Sequence, residues 1–312
     1  MKMAGLAAPD PVFSPAKENC LQIAAVSIVI SPDPEIRLLA PDLLYQKFYG
    51  AETSISRIQA RLVLGKMPDL SRLQKTFDTR ESWTLFSDPR GFWIRFQSAL
   101  QADPYWIARS DRQANQVIVY CGPPLVEATE EKNKLSNPVC YPLDQLLLMY
   151  HLAYRDGILV HAAGVELEGR GFIFPGCSGA GKSTLTRLFA AARTGNLLSD
   201  ERVVLRRTGA DWQVYGTPWA GTEGIGSNGR APLAGIFFLK HAAHNQLKKI
   251  TADNALERLL PILSIPWYDP EVMARVIASA KQLTAKVPSY EMSFTPDNSA
   301  VDFFIGSQKM FS

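Results

Sequence analysis

Apolar positions change rhythm partway along the chain, and the change predicts its organisation. From residue 20 to about residue 124 the text reads as strands, with apolar and polar positions tending to alternate. Residues 21–30 form a β-branched, apolar run. Residues 82–86 and 92–96 flank Asp88-Pro89-Arg90-Gly91, a turn that predicts a hairpin. Residues 105–108 and 116–120, either side of a polar 110–115 segment, predict another. The aromatic residues of these hairpins are expected to pack rather than to stack on a ligand. Residues 128–137 are polar and charged, and a domain boundary is expected there. That places a β-rich domain at residues 1–135, with residues 1–15 loosely ordered, and a second domain at 136–312.

The second part mixes periods. Pro142 opens an apolar helix over 143–154, with Asp144 in its first turn. Strands are predicted at 158–161, 165–168, 172–174 and 197–199, then a hairpin from 203–205 and 212–215, and a buried strand at 236–239. Helices are predicted after residue 184 and over 254–263 and 270–285, with a last strand at 290–294. The expected class is α/β (α+β). Residues 216–230 contain five glycines among fifteen positions, which predicts a mobile loop beside an active site.

Composition narrows the functions open to such a chain. The net charge is 33 − 30 = +3, too small to suggest nucleic acid or an acidic membrane surface as partner. Cys20, Cys121, Cys140 and Cys177 lie far apart, as free thiols of a reducing cytosol would. The most apolar run, residues 23–30, is far short of a membrane span. A cytoplasmic protein is expected.

The chemistry centres on Gly176-Cys177-Ser178-Gly179-Ala180-Gly181-Lys182-Ser183-Thr184, which fits G-x-x-x-x-G-K-[ST] at every fixed position. The glycines let successive backbone N–H groups curl around phosphate oxygens. Lys182 can reach the β and γ phosphates, and the Ser183 hydroxyl suits magnesium. A strand before the loop and a helix after it are the context this chemistry needs, because the helix points its positive end at the anion. ATP and Mg2+ are the expected cofactors. Asp200 and Glu201 end the next short strand. His161 ends a strand upstream, and pairing of that strand with the loop's own would bring the histidine beside the phosphates. Arg230, at the end of the glycine-rich loop, is a candidate to neutralise a transferring phosphoryl group.

The loop resembles that of ABC transporter ATPases, but no L-S-G-G-Q-like segment follows it and the acidic pair comes too early. The order Ile158-Leu159-Val160-His161, loop, then Leu198-Ser199-Asp200-Glu201-Arg202-Val203 resembles instead the catalytic core of the bacterial HPr kinase/phosphorylase family, over roughly residues 142–239. That core is shared with ATP-dependent phosphoenolpyruvate carboxykinase. Tyr141-Pro142-Leu143-Asp144-Gln145 and Gly216-Thr217-Pro218-Trp219 look most like HPr-kinase-related proteins that lack the original N-terminal domain. The resemblance implies an ATP-dependent serine kinase acting on a protein or peptide, in a family that often forms homo-oligomers. Asp200 would be the base, as the first aspartate of the family's pair, and Glu201 would serve the metal with Ser183. His161 would polarise Asp200, hold it or touch the metal. The chain departs from the family in having Glu201 for an aspartate, which keeps the carboxylate pair in chemical type, and Cys177 for an acidic residue, which speaks against carrying over the family's regulated phosphorylase activity wholesale. A kinase for a small hydroxylated metabolite such as free serine, and a non-catalytic ATP-binding adaptor, are the alternatives. Carboxykinase-like decarboxylation would want more basic groups ahead of His161 than Arg155 supplies.

Overall fold

Alternating apolar positions build the first sheet of the computed structural model, which describes residues 19–52, 54–98, 103–129, 132–177 and 179–308. In chain order the elements are β1 (Cys20–Ile23), β2 (Val26–Pro32), β3 (Ile36–Leu38), the single turn α1 (Leu43–Gln46), β4 (Arg57–Val63) and β5 (Gln74–Asp78). Then come β6 (Trp83–Asp88), β7 (Gly91–Phe96), β8 (Trp106–Asp111), β9 (Gln116–Cys121), β10 (Val126–Glu127) and β11 (Asn133–Leu135). Eight of these strands form one sheet in the order β1-β2-β4-β9-β8-β7-β6-β5, and β10, β11 and β3 form a small second one. Both expected hairpins are present, as β6–β7 and β8–β9. The run at 21–30 is itself a hairpin rather than one strand, because Ala24 and Ala25 turn with φ of 53° and 54°.

The helix α2 (Leu143–Ala153) follows, then β12 (Gly157–Leu167), β13 (Arg170–Pro175), α3 (Lys182–Ala192), β14 (Asn196–Ser199), β15 (Arg202–Thr208) and β16 (Asp211–Tyr215). The chain ends with β17 (Arg230–His241), β18 (Gln246–Ile250), α4 (Ala252–Leu259), α5 (Pro270–Lys286), β19 (Ser289–Phe294) and α6 (Ser299–Ser307). The second large sheet runs β13-β12-β15-β16-β17-β19-β18, with β14 on β12 and a further pairing of β13 with β17. That last pairing closes β12, β15, β16, β17 and β13 into a ring. β12 and β17 are the long strands that make closure possible, since each changes partner along its length. The architecture is a mixed α/β one with several sheets and few helices.

The expected boundary near residue 135 is not a break in the core. One hydrophobic cluster takes in Leu21, Ile58 and Val119 from before it and Leu147, Val204 and Leu283 from after it. The connection is α2, in which every residue except Gln145 is buried. A helix apolar on all sides must be covered on all sides, and here both halves of the chain cover it. A separate aromatic cluster seats α3: Leu185 and Phe189 pack with Phe174, Phe237 and Phe304. No helix among the described residues is long and apolar enough to cross a membrane, and the four cysteines are free thiols.

Candidate functional site

The β12–β13 hairpin carries the phosphate loop to the start of α3. Ala162 pairs with Pro175, so the loop leaves the sheet beside His161, and the Gly176 amide donates to the His161 carbonyl at 3.2 Å. Gly181 caps α3 at φ 99°, and among the described residues no side chain caps the helix's first amides. Any side chain at Gly181 would collide, its Cβ meeting the Phe294 ring at 2.8 Å and His241 Nε2 at 3.1 Å. The first turn of α3 therefore presents free donors and the positive end of the helix dipole, the arrangement that binds phosphate. Ser178 lies outside the described residues.

A cavity of about 700 Å3 opens at this point, lined by Gly179, Gly181, Lys182, Ser183 and Thr184 from the loop and helix, and by His161, Glu201 and Arg202 from the ring. Lys182 and Arg202 against Glu201 leave its lining net positive, as a polyphosphate would require. Lys182 is folded back, with Nζ donating to the carbonyls of Gly176 at 2.7 Å and Cys177 at 3.3 Å. Burial pulls its pKa down, opposed by the nearby Glu201 carboxylate. His161 Nε2 lies 3.0 Å from Glu201 Oε1. Burial, then the Lys182 charge, lowers the imidazole's pKa against the pull of Glu201. At this distance a hydrogen bond from Nε2–H to the carboxylate is the contact the geometry allows.

The adjacent carboxylates part company. Asp200 is 2% exposed and accepts the amides of Gly221 and Glu223, one on each oxygen, both at 2.8 Å. Glu201 instead faces the cavity. The glycine-rich loop is therefore pinned rather than loose. Besides Asp200, Thr217 Oγ1 donates to the Arg202 carbonyl at 2.6 Å, and Gly216 and Ser227 bond Gly229 and Leu198. Gly221 packs closely on both carboxylates, since a Cβ there would stand 3.0 Å from Glu201 Oε2 and 3.2 Å from Asp200 Oδ2.

Arg230 is not part of this cavity. It begins β17, is exposed, and lines a separate depression with Glu166, Arg193 and Asn196. The arginine at the cavity is Arg202, whose Nη1 donates to Ser264 Oγ at 3.1 Å. The rest of the lining is an aromatic wall of Tyr45, Tyr141, Pro218, Trp219 and Ala220, with His241 close to Gly181; none of these has a role at the cavity in the expectations drawn from sequence. Tyr45 Oη and Trp219 Nε1 both donate to Asp144 Oδ2, at 2.8 and 2.9 Å, and Tyr45 Oη accepts the Tyr141 amide at 2.8 Å. Asp144 is fully buried, and burial pushes its carboxyl up to about 6 despite these donors. In the sequence Tyr141, Asp144 and Trp219 stood out mainly through the two segments singled out for their resemblance, and Tyr45 carried no signal.

Compared with protein-family models and with curated sequences, the chain finds no match.

Proposed function

We propose that the chain is an ATP- and magnesium-dependent kinase that transfers the γ phosphate to a serine hydroxyl of a protein or peptide, in the manner of the HPr kinase-like proteins it resembles. The observation that carries this is the convergence of Lys182, the open first turn of α3 and the His161–Glu201 pair on one cavity. Phosphoryl transfer needs charge neutralisation and an oriented nucleophile more than covalent help from the protein. The α3 amides and Lys182, exchanging its two carbonyls for phosphate oxygens, supply the first.

Among the described residues no three His, Cys, Asp or Glu side chains cluster as a metal cage. The Ser183 hydroxyl lines the cavity at the start of α3 and is an oxygen donor of the kind magnesium uses beside substrate phosphates and water. Ser183 would hold the ion together with phosphate oxygens and water, leaving the Glu201 carboxylate free to act as the base, and when bound it would neutralise charge on the phosphates. The geometry favours Glu201, not Asp200, as the carboxylate that meets the substrate. As the serine oxygen bonds to the γ phosphorus and the bond to the departing ADP oxygen breaks, the hydroxyl proton passes to Glu201. His161 orients that carboxylate, and Asp200 holds the loop that walls the cavity.

The test is transfer of labelled γ phosphate from ATP with magnesium to cell proteins and peptides, and to free serine and other small hydroxy compounds. Label on a macromolecule, lost in Lys182→Ala, is the expected result. Label on small molecules alone would replace this function with a metabolite kinase, and ATP binding without any transfer would leave an adaptor.

A further inference from the structure

Three parallel strands bring their carboxyl ends to the cavity. β13 pairs in parallel with β17, and β17 in parallel with β19. At those ends stand the phosphate loop, His241 and Phe294, and it is beyond the carboxyl ends of parallel strands that α/β sheets bind their ligands. His241 and Phe294 are partners in register, with ring centroids 4.9 Å apart and a tilt of 36° between the planes. Phe294 is fully buried, whereas His241 is exposed and lines the cavity. His241 Nε2 lies 3.1 Å from where a Cβ on Gly181 would stand. The imidazole thus rests on Phe294 by one face and abuts the phosphate loop by its tip, and its other face is open.

We propose that His241 is the nucleoside platform of the cavity, its open face stacking on the base of bound ATP. The proposal rests on the reading of residues 176–184 as a phosphate cradle. It turns on which flank of the loop carries the reacting groups. β13 has β12 on one side and β17 on the other. His161 and Glu201 stand on the β12 and β15 flank, so the γ phosphate belongs there. The aromatic wall belongs to that flank too, since Gly221, two residues past Trp219, packs on Glu201, and Asp144 ties Tyr45 to Trp219. A triphosphate cradled by the loop with its γ end at Glu201 carries its nucleoside toward the opposite flank, where β17 ends in His241. Every base has a π-face, and histidine is among the side chains on which bases stack. The Phe294 ring beneath it holds the imidazole in place before the nucleotide arrives, which lowers the ordering cost of binding.

The test is calorimetric titration of the full chain, with magnesium, by a non-hydrolysable ATP analogue and separately by inorganic tripolyphosphate, which has the phosphates and no base. His241→Ala and His241→Gln alter an exposed side chain, so both variants should fold, as a thermal melt would check. Each should bind the analogue at least about fivefold more weakly than the wild type, the lower end of what losing one stacked base does. Affinity for tripolyphosphate should fall far less, whereas Lys182→Ala should weaken both ligands alike. Losses as large for tripolyphosphate as for the analogue would overturn the proposal, by putting His241 on the phosphates. Wild-type affinity for the analogue in His241→Ala would overturn it too and give the base to another part of the lining. Wild-type affinity in His241→Gln alone would replace stacking with a hydrogen bond from the tip of the side chain. A wild type that binds neither ligand would sink the phosphate cradle and the platform together. Binding with the expected preference, but no transfer of labelled phosphate, would sink the kinase alone and leave the platform standing.

Discussion

One wall of the cavity comes from a single stretch within residues 179–184, and another is assembled from Tyr45, Tyr141 and Trp219, which lie far apart in the chain. The first is glycine and backbone, with its donors aimed outward by a helix that an aromatic cluster holds in place. The second is aromatic and depends on one buried carboxylate, Asp144. Local geometry suffices to cradle a phosphate, whose shape is the same in every substrate. The aromatic wall has to be shaped by tertiary packing, and it inherits the stability of that packing.

The largest effects should fall on the phosphate side. Glu201→Gln keeps the size of the side chain but cannot take a proton, and should lower the transfer rate by roughly 10²–10⁴-fold. Asp200→Asn should cost much less, showing mainly as weaker acceptor use through a looser loop. Equal losses in the two variants would break the division of roles drawn here. Lys182→Ala should abolish detectable transfer, with a loss of at least about 10²-fold; transfer at the wild-type rate would remove the phosphate loop from the mechanism.

On the aromatic side the expected effects are on stability and depend on pH. The Asp144 carboxyl is raised to about 6 by burial. Between about pH 4 and 6 the folded chain keeps a proton that the unfolded chain releases, so stability falls as pH rises through that window. His151, on the same helix, is pushed down to about 4, by burial first and then by Arg155. From about pH 4 to 6.5 the unfolded chain holds the extra proton, so this group makes stability rise with pH. Each slope amounts to about 3 kcal/mol, and in the wild type they oppose one another. Thermal melts of Asp144→Asn should reveal the rising slope alone, and those of His151→Gln the falling one. Flat profiles in both variants would contradict these ionisation states. The smallest change is Tyr45→Phe, which removes one bond to Asp144 and should cost about 1 kcal/mol of stability.

The contrast also explains what the chain disclosed as text. The β12–β13 hairpin, His161 beside the loop and the strand ending at Asp200-Glu201 were legible, because short-range pairing and glycine spacing write them locally. The Ala24-Ala25 turn was not, since alanines carry none of the asparagine or glycine signal that left-handed turns usually show. Arg230 was assigned to the cavity on its nearness in sequence to the loop, yet β17 begins with it and takes it to another face. Asp200 and Glu201 looked interchangeable as text, and only the amides of Gly221 and Glu223 separate them. Tyr45 and Asp144 stand 99 residues apart, a separation at which no local pattern reports a contact.

The buried helix α2 sets a condition on how such a protein can change over time. Its sides are shared between two halves that a reader of the text would divide, so neither half can be exchanged for a foreign one without baring part of it. A shuffled gene carrying only residues 136–312 would yield a chain with an apolar helix in water, prone to aggregate before any nucleotide reached it. Change at the cavity would then have to come by substitution, one side chain at a time, rather than by trading modules.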